Sequence, residues 1–298
     1  MVDSNFSGSR SPEVLKVGEK VLGVVVEHAV FRQIRSASID LARTMRSLRM
    51  PSGILIQADP GMGKTLLLEL VRRSLVASGE DAGSNACVHV GLDNAVDTHG
   101  IAAATMLALG YPALPSRPNL TAMNHMVNVG FERRKPWAVL VDEMQHVCEG
   151  NKDITARSVT DWLKVRMDAY NFPVICAGTR ALERLASINP QFCSRASASF
   201  VIHPFQFDDS WRQLLGGFVG GVDVVDLRVI QGDACRPLHV ASGGNMRMLK
   251  RILTYASMHA AQQENRVVTL ENLAKALLDT KGQVAALNNP FTQRQGLR

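Results

Sequence analysis

The sequence predicts an α/β protein: a five-stranded parallel sheet followed by a small C-terminal helical lid. Three observations predict it. Apolar, strand-like runs alternate with helical spacings over residues 50–205, and helices alone follow. One short apolar run, Ile54 to Ile56, enters a turn-rich loop, Ala58 to Gly63, and then Lys64-Thr65 and a leucine-rich helix. A later run, Trp137-Ala-Val-Leu-Val141, ends on two carboxylates, Asp142 and Glu143.

The bounds come first. With 298 residues, the chain holds one large or two modest domains, and 46% hydrophobic against 20% charged residues is an ordinary globular balance. No apolar run has the length of a membrane-spanning helix, and Met1 to Arg10 is polar and Ser/Gly-rich rather than signal-like. Cytoplasmic residence is the expectation. Five scattered cysteines, without a Cys-x-x-Cys pair, suit neither a disulfide framework nor a zinc site. The net charge of +6 is compatible with nucleic-acid binding without demanding it.

Residues 1–27 read as an N-terminal extension, 1–12 of it disordered. Phe31 to Arg49 has helical spacing at Phe31, Ile34, Ile39, Leu41, Met45 and Leu48. Its arginines, Arg32, Arg35, Arg43, Arg46 and Arg49, form either a solvated face or a contact for DNA or another subunit.

The loop Ala58-Asp-Pro60-Gly61-Met62-Gly63 then follows the first strand. Its backbone N–H groups and the helix N-terminus present positive partial charge to phosphate oxygens. Lys64 is suited to the β/γ-phosphates of a nucleotide, and the Thr65 hydroxyl to Mg²⁺. Ala58 stands where the strict signature has Gly.

A second strand is expected over Ala86 to Val90, and helices over Gly100 to Leu109 and Leu120 to Phe131. The Trp137 run is apolar throughout, as a strand in the middle of a parallel sheet is. Ligands of such sheets bind at the carboxyl ends of the strands. Asp142 therefore suits the Mg²⁺ shell, and Glu143 the activation of an attacking water. After a helix at Ser158 to Tyr170, Pro173 to Ala177 is a fourth strand, ending at Gly178-Thr179. The Thr179 hydroxyl either touches the water or γ-phosphate or caps the next helix. Ser199 to Ile202 is the fifth strand. Asn151-Lys152-Asp153 superficially suggests guanine recognition, but the aspartate comes one residue early, so ATP is the expected nucleotide.

Helices are expected at Asp209 to Phe218, Arg247 to His259 and Leu270 to Leu278, and a flexible tail from Lys281. The division is 28–205 for the nucleotide-binding domain, 206–280 for the lid and 281–298 for the tail. Two arginines suit a developing phosphate charge. Arg195, before the fifth strand, is placed to reach a neighbouring subunit's nucleotide, and Arg247, opening a lid helix, its own.

The ordered set Ala58-Asp-Pro-Gly-Met-Gly-Lys-Thr65, Val139-Leu-Val-Asp-Glu-Met-Gln-His146, Val174-Ile-Cys-Ala-Gly-Thr179, Gln191-Phe-Cys-Ser-Arg195 and Gly243-Gly-Asn-Met-Arg247 resembles the AAA+ ATPases that regulate DNA transposition, the TniB/TnsC group, more distantly MuB and IstB. The resemblance covers roughly residues 28–280. It departs at Ala58 and after Arg195, where Ala196-Ser-Ala-Ser lacks a Phe common in the family. The resemblance implies ATP and Mg²⁺ as cofactors and head-to-tail assembly into rings or helical filaments on double-stranded DNA. It also implies recruitment of a DDE transposase, a target-selection partner and disassembly on hydrolysis. DNA contact of that kind is sequence-independent phosphate tracking. The candidate DNA-lining residues are Arg117, Asn119 and Thr121, with Lys152 and Arg157 after the acidic pair. Two other readings remain open: an ATP-switched adaptor with negligible turnover, and an AAA ATPase of the secretion type.

Overall fold

The computed structural model describes residues 10–50, 52–78, 87–92, 97–112, 119–149, 153–282 and 288–292. In chain order the elements are α1 (Pro12–Gly23), α2 (Ala29–Leu48), β1 (Gly53–Ala58), α3 (Lys64–Ser78), β2 (Cys87–Gly91), α4 (Thr98–Ala108), α5 (Leu120–Arg134), β3 (Ala138–Asp142), α6 (Gln145–Cys148) and α7 (Asp153–Tyr170). They continue with β4 (Val174–Gly178), a 3₁₀ turn (Arg180–Arg184), α8 (Leu185–Ile188), α9 (Pro190–Cys193) and β5 (Ala196–Ile202). The last are α10 (Asp209–Gly221), a second 3₁₀ turn (Arg228–Gln231), α11 (Cys235–Ser242), α12 (Met246–Ala260) and α13 (Leu270–Lys281). Residues 29–203 form one compact unit; residues 1–28 and 204–298 form the other.

The first unit is built on a parallel sheet ordered β2-β3-β4-β1-β5. Every residue of β1, β3 and β4 is buried, as continuous apolar runs covered on both faces must be. β5 lies at the edge and alternates between half-buried and exposed until Ile202. On one side of the sheet, Met106, Phe131, Trp162 and Phe172 pack with Val88, Val139 and Cys176. Phe131 and Phe172 stand 4.9 Å apart, ring centroid to centroid. Burial keeps the cysteines here as protonated core residues: the Cys87 and Cys148 thiols are pushed up to about 12, and Cys176 is also pushed up. Along α2, Arg46 stacks over the Trp137 ring at 4.4 Å, so this arginine belongs to a local contact.

In the second unit, Trp211 is fully buried and its indole N–H donates to the Cys235 carbonyl at 3.2 Å. Helices α12 and α13 pack together, and a capping box of Thr269 with Asn272 opens α13. The segment expected as an N-terminal extension forms α1, which packs on α12. The approach is close because Gly18 has no side chain: a Cβ there would lie 2.8 Å from Met258 Sδ. Residues 1–9, within the stretch expected to be disordered, lie outside the described residues; Arg10 pairs with Asp279 at 3.3 Å and Ser11 caps α1.

The expectation of a flexible tail is corrected at 288–292. Asn289 and Phe291 are buried, and the Asn289 amide donates to the Ala274 carbonyl at 3.1 Å. One apolar ring with an adjacent amide anchor is enough to seat a polar segment on α13. Residues 283–287 and 293–298 lie outside the described residues.

Candidate functional site

The site begins where β1 stops. Gly61 and Gly63 take φ of 84° and 88°, a left-handed backbone that side-chain-bearing residues rarely adopt. The loop thereby curls back on itself, and the Met62 N–H donates to the Asp59 carbonyl at 3.2 Å. The Leu67 N–H reaches the Gly63 carbonyl at 2.9 Å and opens α3 directly from the loop. The Lys64 ammonium donates to the Ala58 carbonyl at 3.1 Å and is buried, so its charge sits inside the curl. Phe31 of α2 packs against the loop: a Cβ on Gly63 would meet its ring at 3.0 Å. A curled backbone, a helix N-terminus and a buried cation are the donor set a polyphosphate requires. The loop's own carboxylate, Asp59, is turned to Arg180 at 3.4 Å.

The acidic pair follows β3. Asp142 is buried, with Oδ1 accepting the Glu143 N–H at 2.8 Å. Glu143 has φ of 55°, unusual for a residue with a side chain. The chain turns there, and the Met144 N–H donates across to the Ala177 carbonyl of β4 at 2.9 Å. The Glu143 carboxylate stays half-buried and accepts from the Gln145 amide.

Because the sheet is parallel, β1, β3 and β4 end on the same edge, and β4 lies between the other two. The structure thus brings Lys64, Thr65, Asp142, Glu143 and Thr179 to that edge. Thr65 is exposed at the start of α3, free of any burial that would keep a metal from its hydroxyl. Thr65 and Asp142 are the residues that would hold a magnesium ion: one hydroxyl and one buried carboxylate are the hard oxygen donors it prefers. The Thr179 hydroxyl accepts the Ala181 N–H at 3.4 Å, so the capping alternative is realised in this geometry. Its proton remains available for donation.

Arg195 lies elsewhere. It precedes β5, and its carbonyl accepts from Gly53 N–H at 3.0 Å and Ser52 Oγ at 2.8 Å, at the beginning of β1. It occupies the edge opposite the loop, with its guanidinium paired to Asp168 of α7. Arg247 belongs to the other unit, exposed in the first turn of α12 beside its cap, Asn245. Of the DNA-lining candidates, Arg117 and Lys152 lie outside the described residues. Asn119 and Thr121 form the cap of α5, side-chain oxygen to backbone N–H at 2.8 Å, so the Asn119 side chain already has a structural partner. Arg157 is exposed on α7.

Three participants were not assigned from the sequence: Gln145, Arg180 and Asp168. Gln145 stood inside the motif run Asp142-Glu-Met-Gln145. Nothing in its type separates a buried bridging amide from a surface one.

Against solved structures, the Aeropyrum pernix ORC1 protein in complex with DNA matches with a TM-score of 0.68 at 17% identity, covering 91% of this chain and 71% of that one. The Aeropyrum pernix ORC2 protein, solved as ADPNP-ADP complexes, matches with a TM-score of 0.65 at 16% identity, covering 90% and 74%. Drosophila ORC bound to DNA matches at 0.63 and 16%, covering 97% and 72%. At these identities the likeness is one of fold, an AAA+ parallel sheet followed by helices. No curated protein sequence matches the chain. The family model described as bacterial TniB protein matches residues 23–205, a span that contains β1 to β5, the phosphate loop and the acidic pair. With most of its length under that match and the fold it requires, the chain belongs to the bacterial TniB protein family.

Proposed function

We propose that this chain is an ATPase that regulates DNA transposition by assembling on duplex DNA in its ATP state and leaving on hydrolysis. The observation that carries the proposal is the convergence of Lys64, Asp142, Glu143 and Thr179 on one edge of the sheet. Each does separate work there. The loop at 60–63 and Lys64 bind the phosphates; Glu143 accepts a proton from the attacking water; Thr179 orients that water or the γ-phosphate. Thr65 and Asp142 would hold a magnesium ion, which would supply neutralisation of the phosphate charge. Arg247 is assigned to the chain's own nucleotide and Arg195 to that of a neighbouring copy.

Assembly follows from that division of labour. A nucleotide that needs an arginine from the next subunit is completed only by a head-to-tail contact, which builds rings or open filaments. The wider reading takes a DDE transposase and a target-selection protein as partners and the cytoplasm as the compartment; no helix among the described residues is long and apolar enough to cross a membrane. The DNA-bound structure of the Aeropyrum ORC1 protein supports DNA as the track for this fold.

Two measurements test the proposal. Negative-stain imaging of the full chain with duplex DNA and a non-hydrolysable ATP analogue is expected to show rings or filaments that depend on the analogue. DNA-stimulated phosphate release is expected to fall by roughly 10²- to 10⁴-fold in Glu143→Gln, the usual worth of a general base. Equal release by both proteins overturns the hydrolytic part, leaving an ATP-switched adaptor. Absence of assembly with analogue and DNA overturns the rest.

A further inference from the structure

The turn after β3 holds a contact that the proposed chemistry does not use. Gln145 is buried, 4% exposed, and both ends of its amide are occupied. Its Nε2 donates to Oε2 of Glu143. Its Oε1 accepts the backbone N–H of Thr179 at 3.2 Å. The partners fix the amide's orientation: a carboxylate only accepts and a backbone N–H only donates. One side chain thus bridges the ends of β3 and β4.

The surroundings are shaped for that bridge. Gly178 leaves the space it occupies; a Cβ there would lie 2.9 Å from Gln145 Oε1 and 3.0 Å from the Gln145 backbone nitrogen. Glu143 sits at φ 55°, a conformation that persists only where its surroundings hold it. Three hydrogen bonds hold the main chain there: Glu143 N–H to Asp142 Oδ1, Met144 N–H to the Ala177 carbonyl, and His146 N–H to the Glu143 carbonyl. The Gln145 amide tethers the side chain itself.

We propose that Gln145 is a positioning residue for hydrolysis, acting through Glu143: it fixes the carboxylate rotamer, leaves Oε1 of Glu143 to take the water's proton, and ties that carboxylate to the strand end carrying Thr179. The proposal rests on the reading of Glu143 as the base. A bond to Oε2 restrains rotation of the carboxylate while the other oxygen keeps its lone pairs. The link to the Thr179 N–H sets the base and the Thr179 hydroxyl at one mutual distance, so a shift at the end of β4 carries the base with it. Misplacing a reacting group by an ångström costs on the order of 10²-fold in rate.

The test uses the full chain with duplex DNA, comparing wild type, Gln145→Met, Glu143→Gln and the double variant. Phosphate release is measured across ATP concentrations, and affinity is followed with a fluorescent ATP analogue. Gln145→Met is expected to lower kcat by roughly 10- to 100-fold, within the misplacement cost, with KM and analogue affinity nearly unchanged. The double variant is expected to be no slower than Glu143→Gln, because the amide has then lost the group it acts through. Gln145→Asn, which keeps the amide but is too short to span both partners, is expected to behave like Gln145→Met and serves in its place if that variant does not fold. Wild-type kcat in both variants overturns the proposal. So does a double variant slowed beyond Glu143→Gln by the full Gln145 factor, since that marks an effect independent of the carboxylate. If Glu143→Gln alone hydrolyses normally, the base assignment fails first and the role of Gln145 with it. If Glu143→Gln is inactive and both Gln145 variants are normal, only the positioning role fails.

Discussion

The backbone N–H of Gly53 donates to the carbonyl oxygen of Arg195 at 3.0 Å. That bond pins Arg195 to the edge where β1 begins, whereas the phosphate loop lies where β1 ends. Six extended residues separate the two edges, about 20 Å at the usual strand rise. An arginine side chain does not cross that distance, so Arg195 serves a nucleotide only if another copy of the chain brings one to it. In this structure its guanidinium is parked on Asp168.

Arg195→Ala is therefore expected to bind a fluorescent ATP analogue as the wild type does and to hydrolyse ATP about 10³-fold more slowly, the lower range for a trans arginine. Mixing it with Lys64→Ala subunits, which keep Arg195, is expected to restore part of the rate. Loss of binding would remove Arg195 from the trans role.

Lys64→Ala removes the buried cation from the loop. Charge-assisted hydrogen bonds are worth about 1.5–3 kcal/mol, so nucleotide affinity is expected to fall roughly 10- to 100-fold. Assembly on DNA that depends on nucleotide should go with it. Normal assemblies by negative-stain imaging would contradict the assignment.

Gly244→Ala tests the second unit. Gly244 has φ of 71°, and a Cβ there would lie 2.0 Å from the Phe205 carbonyl oxygen. Gly244 also accepts the Phe205 N–H at 3.0 Å, so neither backbone can withdraw without losing a hydrogen bond. The substitution is expected to cost about 3 kcal/mol or more, as strain at a special backbone position combined with overpacking does. Urea denaturation reads it; an unchanged midpoint would refute it.

Glu69 on α3 gives the pH prediction. Hydrogen bonds from Arg72, and then Arg73, hold its carboxyl at about 2, below its ordinary 4.5. The folded value is the depressed one, so this stabilisation is complete above pH 4.5 and is lost as pH falls from there through 2. Arg73 is largely exposed, so the contribution is small and weakens with salt. Glu69→Gln is expected to flatten the low-salt stability curve between those pH values, and an identical slope in both proteins would rule the interaction out.

Legibility followed burial. β3 and β4 could be read almost to the residue, because a strand covered on both faces must be apolar at every position. β5 begins at Ala196, earlier than the expected Ser199, because an edge strand is only half covered and Ala-Ser-Ala carries no apolar signal. α1 lies in the stretch expected only as an N-terminal extension, since its buried face is Val14, Val17, Gly18 and Val21, short of large residues. The tail's anchor, Asn289 and Phe291, is too small a pattern to register as packing.

The order of the parts is written along the chain: a strand, a glycine loop with Lys64-Thr65, an apolar strand ending at Asp142-Glu143, and a strand ending at Thr179. These depend on local chemistry, on the dihedral freedom of glycine and on continuous apolar runs, which are written residue by residue. Tertiary structure alone decided which ends meet. The strand order seats β4 between β1 and β3, brings Thr179 to the Gln145 amide that holds Glu143, and sends Arg195 to the opposite edge. Those relationships are set by pairing between segments dozens of residues apart, and no local pattern encodes the partner of a strand.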